Sequence, residues 1–126
     1  MNSKRLLIVD DDEHLRELVQ ACLEDLGAWD TLTAESGEKC LQILQTESVS
    51  AILLDISMPG MDGIAVYDKL QTNPKTQTIP VILLTARVLP SDRAKFSQMG
   101  VTGIISKPIA PNSLVAEVTE ILGWVE

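Results

Sequence analysis

The stretch Ala51-Ile52-Leu53-Leu54-Asp55-Ile56-Ser57-Met58-Pro59-Gly60 decides the fold of this 126-residue chain. Its first four residues have no polar side on either face, so a strand built from them must be covered on both sides, as strands of a parallel sheet are. A carboxylate follows at once, and Met58-Pro59-Gly60 then turns the chain. An ionised Asp at the end of so apolar a run is costly to desolvate unless a cation or several donors meet it.

Working outward, short apolar, β-branched runs recur at Leu6 to Val9, Thr31 to Thr33, Val81 to Leu84 and Ile104 to Ile105. Between the runs lie segments of helical period. Leu15, Leu18, Val19, Cys22, Leu23 and Leu26 line one face of a first helix that Gly27 ends. A second helix follows Ser36 with Leu41 and Leu44 inward, and a third runs from about residue 63 to 70. A fourth starts after Ser91, and a fifth follows Asn112 with Leu114, Val118, Ile121 and Leu122 inward. Ser36, Ser91 and Asn112 are the expected N-caps. Doubly apolar strands alternating with helices predict five βα units, a parallel sheet with helices on both faces. The turns at Asn73-Pro74 and Leu89-Pro90 read as loops, so the expectation is a single domain over 1–126.

The chemical signal lies at the carboxyl end of each run. Asp10-Asp11 come directly after the first, Asp55 after the third, Thr85 after the fourth and Ser106-Lys107 after the fifth. The carboxyl ends of parallel strands share one edge, where α/β proteins bind their ligands, so three carboxylates, a hydroxyl and an ammonium converge there. Adjacent carboxylates repel unless a hard cation sits among them, and an oxygen-only set with an open side suits Mg²⁺, which also binds phosphate oxygens. A carboxylate can then act as nucleophile toward phosphorus, with the cation and Lys neutralising charge on the transferred group. Each signal has an ordinary alternative: Asp10 to Glu13 as a favourable first helical turn, Thr85 as a strand-end hydroxyl, Lys107 as a solvated cation. Their joint placement at strand ends is what argues against those alternatives.

Composition narrows the partners. Eighteen acidic residues against ten Lys and Arg leave a net charge of −8, a field that repels nucleic acid and anionic lipid. No apolar stretch of signal or membrane length follows Met1-Asn2-Ser3-Lys4-Arg5, which predicts a cytoplasmic protein with no membrane contact. Cys22 and Cys40 form no CxxC pair and read as small buried hydrophobes. His14 reads as part of a solvated helix face, Met58, Met61 and Met99 as loop or core packing, and Trp29 and Trp124 as packing or partner-contact residues.

The residues quoted, Leu7-Ile8-Val9-Asp10-Asp11 with Arg16 on the next helix, Leu53 to Gly63, Val81 to Ala86 and Ser106-Lys107-Pro108, resemble the response-regulator receiver domains of two-component signalling, over essentially the whole chain. The resemblance implies a flavodoxin-like (βα)5 fold with strand order 2-1-3-4-5 and a cis peptide at Lys107-Pro108. It implies that Asp55 accepts a phosphoryl group from a histidine kinase or histidine phosphotransfer protein. Asp10, Asp11, Asp55 and the Ser57 backbone carbonyl would hold Mg²⁺, and Thr85 and Lys107 would bind the phosphoryl oxygens. Such a protein is no enzyme beyond its own aspartyl phosphorylation and dephosphorylation. Its downstream partner would be a protein meeting the face of the fourth helix, fifth strand and fifth helix, with Ser91, Asp92, Arg93, Lys95, Gln98 and Glu117 exposed. Ser57 and Arg87 occupy the positions that flank the path of attacking water.

One departure stands out. Receivers often carry Tyr or Phe where this chain has Ile104, which puts the usual coupling from Thr to an aromatic ring in question. Two other functions compete: a phosphate-independent receiver-like binding module, and a haloacid-dehalogenase-like phosphatase, which leaves Asp55 without a role. A chain ending at Glu126 leaves no space for an output domain, so the expectation is a stand-alone regulator, a relay intermediate or a receiver from a larger protein, with Met1 favouring a natural N-terminus.

Overall fold

A computed structural model describes residues 4–124; the expectations attached to Met1 and Glu126 lie outside the described residues. The order of elements is β1 (Arg5–Val9), α1 (Glu13–Asp25), β2 (Asp30–Ala34), α2 (Gly37–Ile43), β3 (Ala51–Asp55), α3 (Gly63–Gln71), β4 (Val81–Thr85), α4 (Pro90–Met99), β5 (Gly103–Ser106) and α5 (Leu114–Leu122). The strands form one parallel sheet in the order β2-β1-β3-β4-β5. That is the doubly wound, flavodoxin-like order, and β1 and β3 diverge at its switch point.

Strand alternation divides the core in two. Leu6 and Ile8 of β1, Ala51 and Leu53 of β3, and Ile82 and Leu84 of β4 face α1 and α5, packing on Val19, Cys22, Leu23, Leu114 and Val118. Leu7, Val9, Ile52, Leu54, Val81 and Leu83 face the other way, onto Cys40, Val66, Tyr67, Leu70 and Phe96 of α2, α3 and α4. Both cysteines are buried and free, as expected, and burial pushes the Cys40 thiol up to about 12. Met58 is buried, and Met61 and Met99 pack against the core.

Several helix details correct the sequence reading. Ser36 does cap α2, its hydroxyl accepting from Lys39 N at 3.1 Å. Ser91 is not the N-cap of α4: the helix already starts at Pro90, because proline suits the first helical position, and Leu89 is the capping residue. Asn112 gives way to Ser113 as the residue before α5. In α1 the buried stripe is Val19, Cys22 and Leu23, while Leu18 is 38% and Leu26 65% exposed. The reason for Leu26 is that α1 stops at Asp25, so the last apolar residue of the periodic run sits on the turn rather than on the helix face. Gly27 is not the left-handed residue of that turn either. Ala28 is, at φ 57°, and Gly27 is needed for space, since a Cβ there would stand 2.8 Å from Leu23 O and 2.9 Å from the Trp29 ring.

Trp29 and Trp124 meet edge-to-face with ring centroids 5.1 Å apart, and Lys4 Nζ lies 4.9 Å from the Trp124 ring. This cluster joins the turn after α1 to the chain just beyond α5, at the end of the sheet remote from Asp55. No helix of the described residues is long and apolar enough to cross a membrane.

Candidate functional site

The carboxyl ends of β1, β3, β4 and β5 deliver Asp10-Asp11, Asp55, Thr85 and Ser106-Lys107 to one crevice. Backbone pairing brings them together: Asp55 is in register with Leu84, Thr85 with Ser106, and Lys107 N donates to Thr85 O at 2.8 Å. β3, β4 and β5 extend one residue beyond their apolar runs, to Asp55, Thr85 and Ser106, because the ladder uses backbone groups and is indifferent to the side chain. Gly63, first residue of α3, lets that helix close on the site. Its N–H donates to Ile56 O at 2.9 Å, and a Cβ there would overlap the Asp55 carbonyl oxygen.

Asp10, Asp11 and Asp55 each offer a carboxylate oxygen within 4.8 Å of the others, a set that can hold a metal ion. Asp10 is fully buried, Asp55 is 2% exposed and Asp11 is exposed. An all-carboxylate set with one exposed member is what a hard, partly hydrated cation requires. Lys107 reaches between the two buried acids, with Nζ 2.9 Å from Asp55 Oδ1 and 3.1 Å from Asp10 Oδ2. Burial raises the Asp55 carboxyl above its ordinary value and the Asp10 charge adds to this, against the opposing pull of Lys107. For Lys107 burial works against the ammonium, yet its hydrogen bonds and charge pairing with Asp55 and Asp10 prevail and hold it above the ordinary lysine value.

The remaining residues take distinct places. Thr85 is buried, and its Oγ1 accepts from Arg87 N at 2.8 Å, which leaves the hydroxyl proton available to a ligand oxygen. Ser57 and Arg87 are both exposed beside the crevice, and Ser57 N lies 3.4 Å from Asp55 Oδ1. Asp55 Oδ2 has no hydrogen-bond donor among the described residues. Asp12 turns away and caps α1, accepting from His14 N at 2.9 Å and Leu15 N at 3.2 Å. His14 itself is exposed on α1, and Lys107-Pro108 is cis, both as expected. Ile104 is half-buried and packs on the cluster that contains Phe96. The sequence pattern assigns no role to Arg16, whose Nη1 donates to the Asp10 backbone carbonyl at 2.7 Å.

Fold and site together define a doubly wound α/β module with a lysine-bridged acidic crevice at its switch point. The family model described as the response regulator receiver domain matches residues 6–119, and the chain belongs to that family, the signalling modules of two-component systems. The response regulator Rre1 of Synechocystis sp. is 38% identical over 117 residues, covering 93% of this chain and 51% of that protein. Other relatives are named transcriptional regulators, and the chain spans about half the length of the first curated relatives it matches. Among solved structures, the chemotaxis response regulator CheY4 of Vibrio cholerae superposes with TM-score 0.88 at 26% identity, covering 95% of this chain and 99% of that one. The receiver domain of the sensor histidine kinase PA1611 from Pseudomonas aeruginosa superposes with TM-score 0.83 at 24% identity, over 97% of this chain and 99% of that one. It is described with a magnesium ion coordinated in its active-site cleft. Family membership sets the dehalogenase-like alternative aside.

Proposed function

We propose that the chain is a single receiver domain whose Asp55 accepts a phosphoryl group, in the presence of Mg²⁺, from the phosphohistidine of a histidine kinase or phosphotransfer protein. The observation that carries this reading is the convergence of Asp10, Asp11 and Asp55 around Lys107 Nζ. Asp55 Oδ2 would attack phosphorus; the P–N bond to the donor imidazole breaks as the O–P bond forms, and the leaving nitrogen ends protonated. Asp10, Asp11, Asp55 and the Ser57 carbonyl would hold Mg²⁺, which would supply positive charge where the phosphoryl group is transferred. Lys107 is the residue that must exchange partners, releasing Asp55 Oδ1 for a phosphoryl oxygen while keeping Asp10. The Thr85 hydroxyl donates to a second oxygen. Ser57 and Arg87, exposed on either side, set how readily water reaches the acyl phosphate.

The output face is formed by α4, β5 and α5. Ser91, Arg93, Lys95 and Gln98 are exposed there, with Asp92 and Glu117 half-buried. With Ile104 in place of an aromatic, the shift of this face runs through the loop 86–89 into α4. The charge of −8 favours a protein over nucleic acid as what this domain itself touches, and the absence of a spanning helix among the described residues fits a cytoplasmic site of action.

Intact-mass spectrometry after incubation with Mg²⁺ and acetyl phosphate tests the reading. One added phosphoryl group that is lost in Asp55→Asn and without Mg²⁺ is the expected result. No adduct together with no Mg²⁺ binding would replace it with the phosphate-independent binding module.

A further inference from the structure

We infer that Arg16 is a positioning residue for the metal-binding acids, acting through the backbone of Asp10; this rests on the metal-dependent reading proposed above. Asp10 is fully buried and each of its polar groups has a partner. Its N–H donates to Ala34 O at 3.1 Å, its Oδ1 accepts from Asp12 N at 2.9 Å and its Oδ2 from Lys107 Nζ at 3.1 Å. The carbonyl is held by Arg16 Nη1 at 2.7 Å, from a helix that begins only after the loop has turned. Asp12, on the other side of Asp11, is fixed as the cap of α1.

Asp11 therefore projects from a loop anchored at both neighbours, and two of those anchors come from α1. Its own carboxylate is exposed and accepts no hydrogen bond among the described residues, so its aim into the crevice is set by the backbone alone. Remove the guanidinium and the Asp10 carbonyl is left buried without a donor, which favours rotation of the Asp10-Asp11 peptide. That rotation would swing Asp11 away from Asp10 and Asp55. Arg16 also pairs with none of the carboxylates in the described structure, so its part is to hold geometry rather than to neutralise a ligand.

Mn²⁺ binding to the purified full chain, read by electron paramagnetic resonance as loss of the free-ion signal, tests this in wild type, Arg16→Met and Arg16→Lys. All three are measured at a temperature where near-ultraviolet circular dichroism shows them folded. Arg16→Met keeps the stem and removes every donor, and is expected to weaken binding about tenfold, the scale of outer-shell losses at metal sites. Arg16→Lys keeps the charge and one donor but not the planar fork, and is expected to recover part of the loss, binding about threefold more weakly than wild type. Binding by Arg16→Met within twofold of wild type would overturn the inference. So would wild-type affinity in Arg16→Lys, since the planar fork that reaches the Asp10 carbonyl would then be dispensable. Should Arg16→Met fail to fold, the lysine variant decides between the same outcomes. Failure of the wild-type chain itself to bind Mn²⁺ would instead remove the metal-dependent reading on which the inference stands.

Discussion

Asp55 and Lys107 lean on each other, and their titration carries opposite signs for stability. Because burial holds the folded Asp55 carboxyl above 3.8, the folded state binds more protons than the unfolded one in the window just above that value. Stability attributable to Asp55 thus falls as pH rises through the window, and the ionised group is a net cost at neutral pH. Asp55→Asn is therefore expected to raise the thermal midpoint of the metal-free chain by a few degrees at pH 7, with the gain shrinking as pH drops through the window, as melts followed by circular dichroism would show. Lys107, held above 10.5, contributes stability that is complete below 10.5 and is lost as pH climbs through its folded value. Lys107→Met strands two buried carboxylates and is expected to cost about 3 kcal/mol in urea unfolding at pH 7. Ala28, left-handed at φ 57°, gives the converse: Ala28→Gly relieves strain and should stabilise by about 1 kcal/mol in the same measurement. The acids, Thr85 and Lys107 were legible because each ends an apolar run. Ala28 was not, because the neighbouring Gly27 carries the usual signal for a left-handed turn while serving a steric need. Nor was the Arg16 contact, which depends on how the loop folds back.

Among the helices α4 is tied down least. Phe96 is its one buried residue, and Leu89 at its start is 67% exposed. The N-terminal turn is held by Asp92 Oδ2 accepting from Leu89 N at 3.3 Å and by Arg93 Nε donating to Val88 O at 3.2 Å. Phe96→Ala should cost about 3–5 kcal/mol, a large share of a domain's total, and should speed hydrogen exchange of α4 amides more than those of α5. A helix with a single fully buried side chain is suited to shift when the loop from Thr85 shifts, which would give the output face proposed above a hinge that does not depend on an aromatic at residue 104. Sequence patterning located this helix but misplaced its start at Ser91, since Pro90 already satisfies the first helical position. It also overestimated the apolar face of α1, where a periodic run continues through Leu26 after the helix has stopped. Periodicity registers the repeat of apolar residues and is blind to where backbone hydrogen bonding ends.

The five-fold alternation of apolar runs and helical segments was enough to give a parallel sheet covered on both sides, because the central strands β1, β3 and β4 are apolar on both faces, while β2 lies at an edge and carries Thr31 and Thr33. Strand order was not contained in that pattern; it came from the family resemblance, and long-range pairings such as Arg5 with Asp30 realise it. For the molecule as a whole, a bound cation acts on the folding equilibrium by mass action. Mg²⁺ at about a hundred times its dissociation constant should add about 2.7 kcal/mol to unfolding, and a chelator should return the melt to its starting midpoint. Asp55→Asn should respond less to the same titration. The pairing of Trp29 with Trp124 sets how such experiments are to be watched. The chain's two tryptophans form one optical unit at the end of the sheet away from the acids. Intrinsic emission will report faithfully on whether the last turn beyond α5 is docked, and stay silent while the crevice loads and empties. A fluorescence trace that does not move on adding Mg²⁺ would say nothing against binding, and the dyes or nuclei that do report must be placed at the other pole.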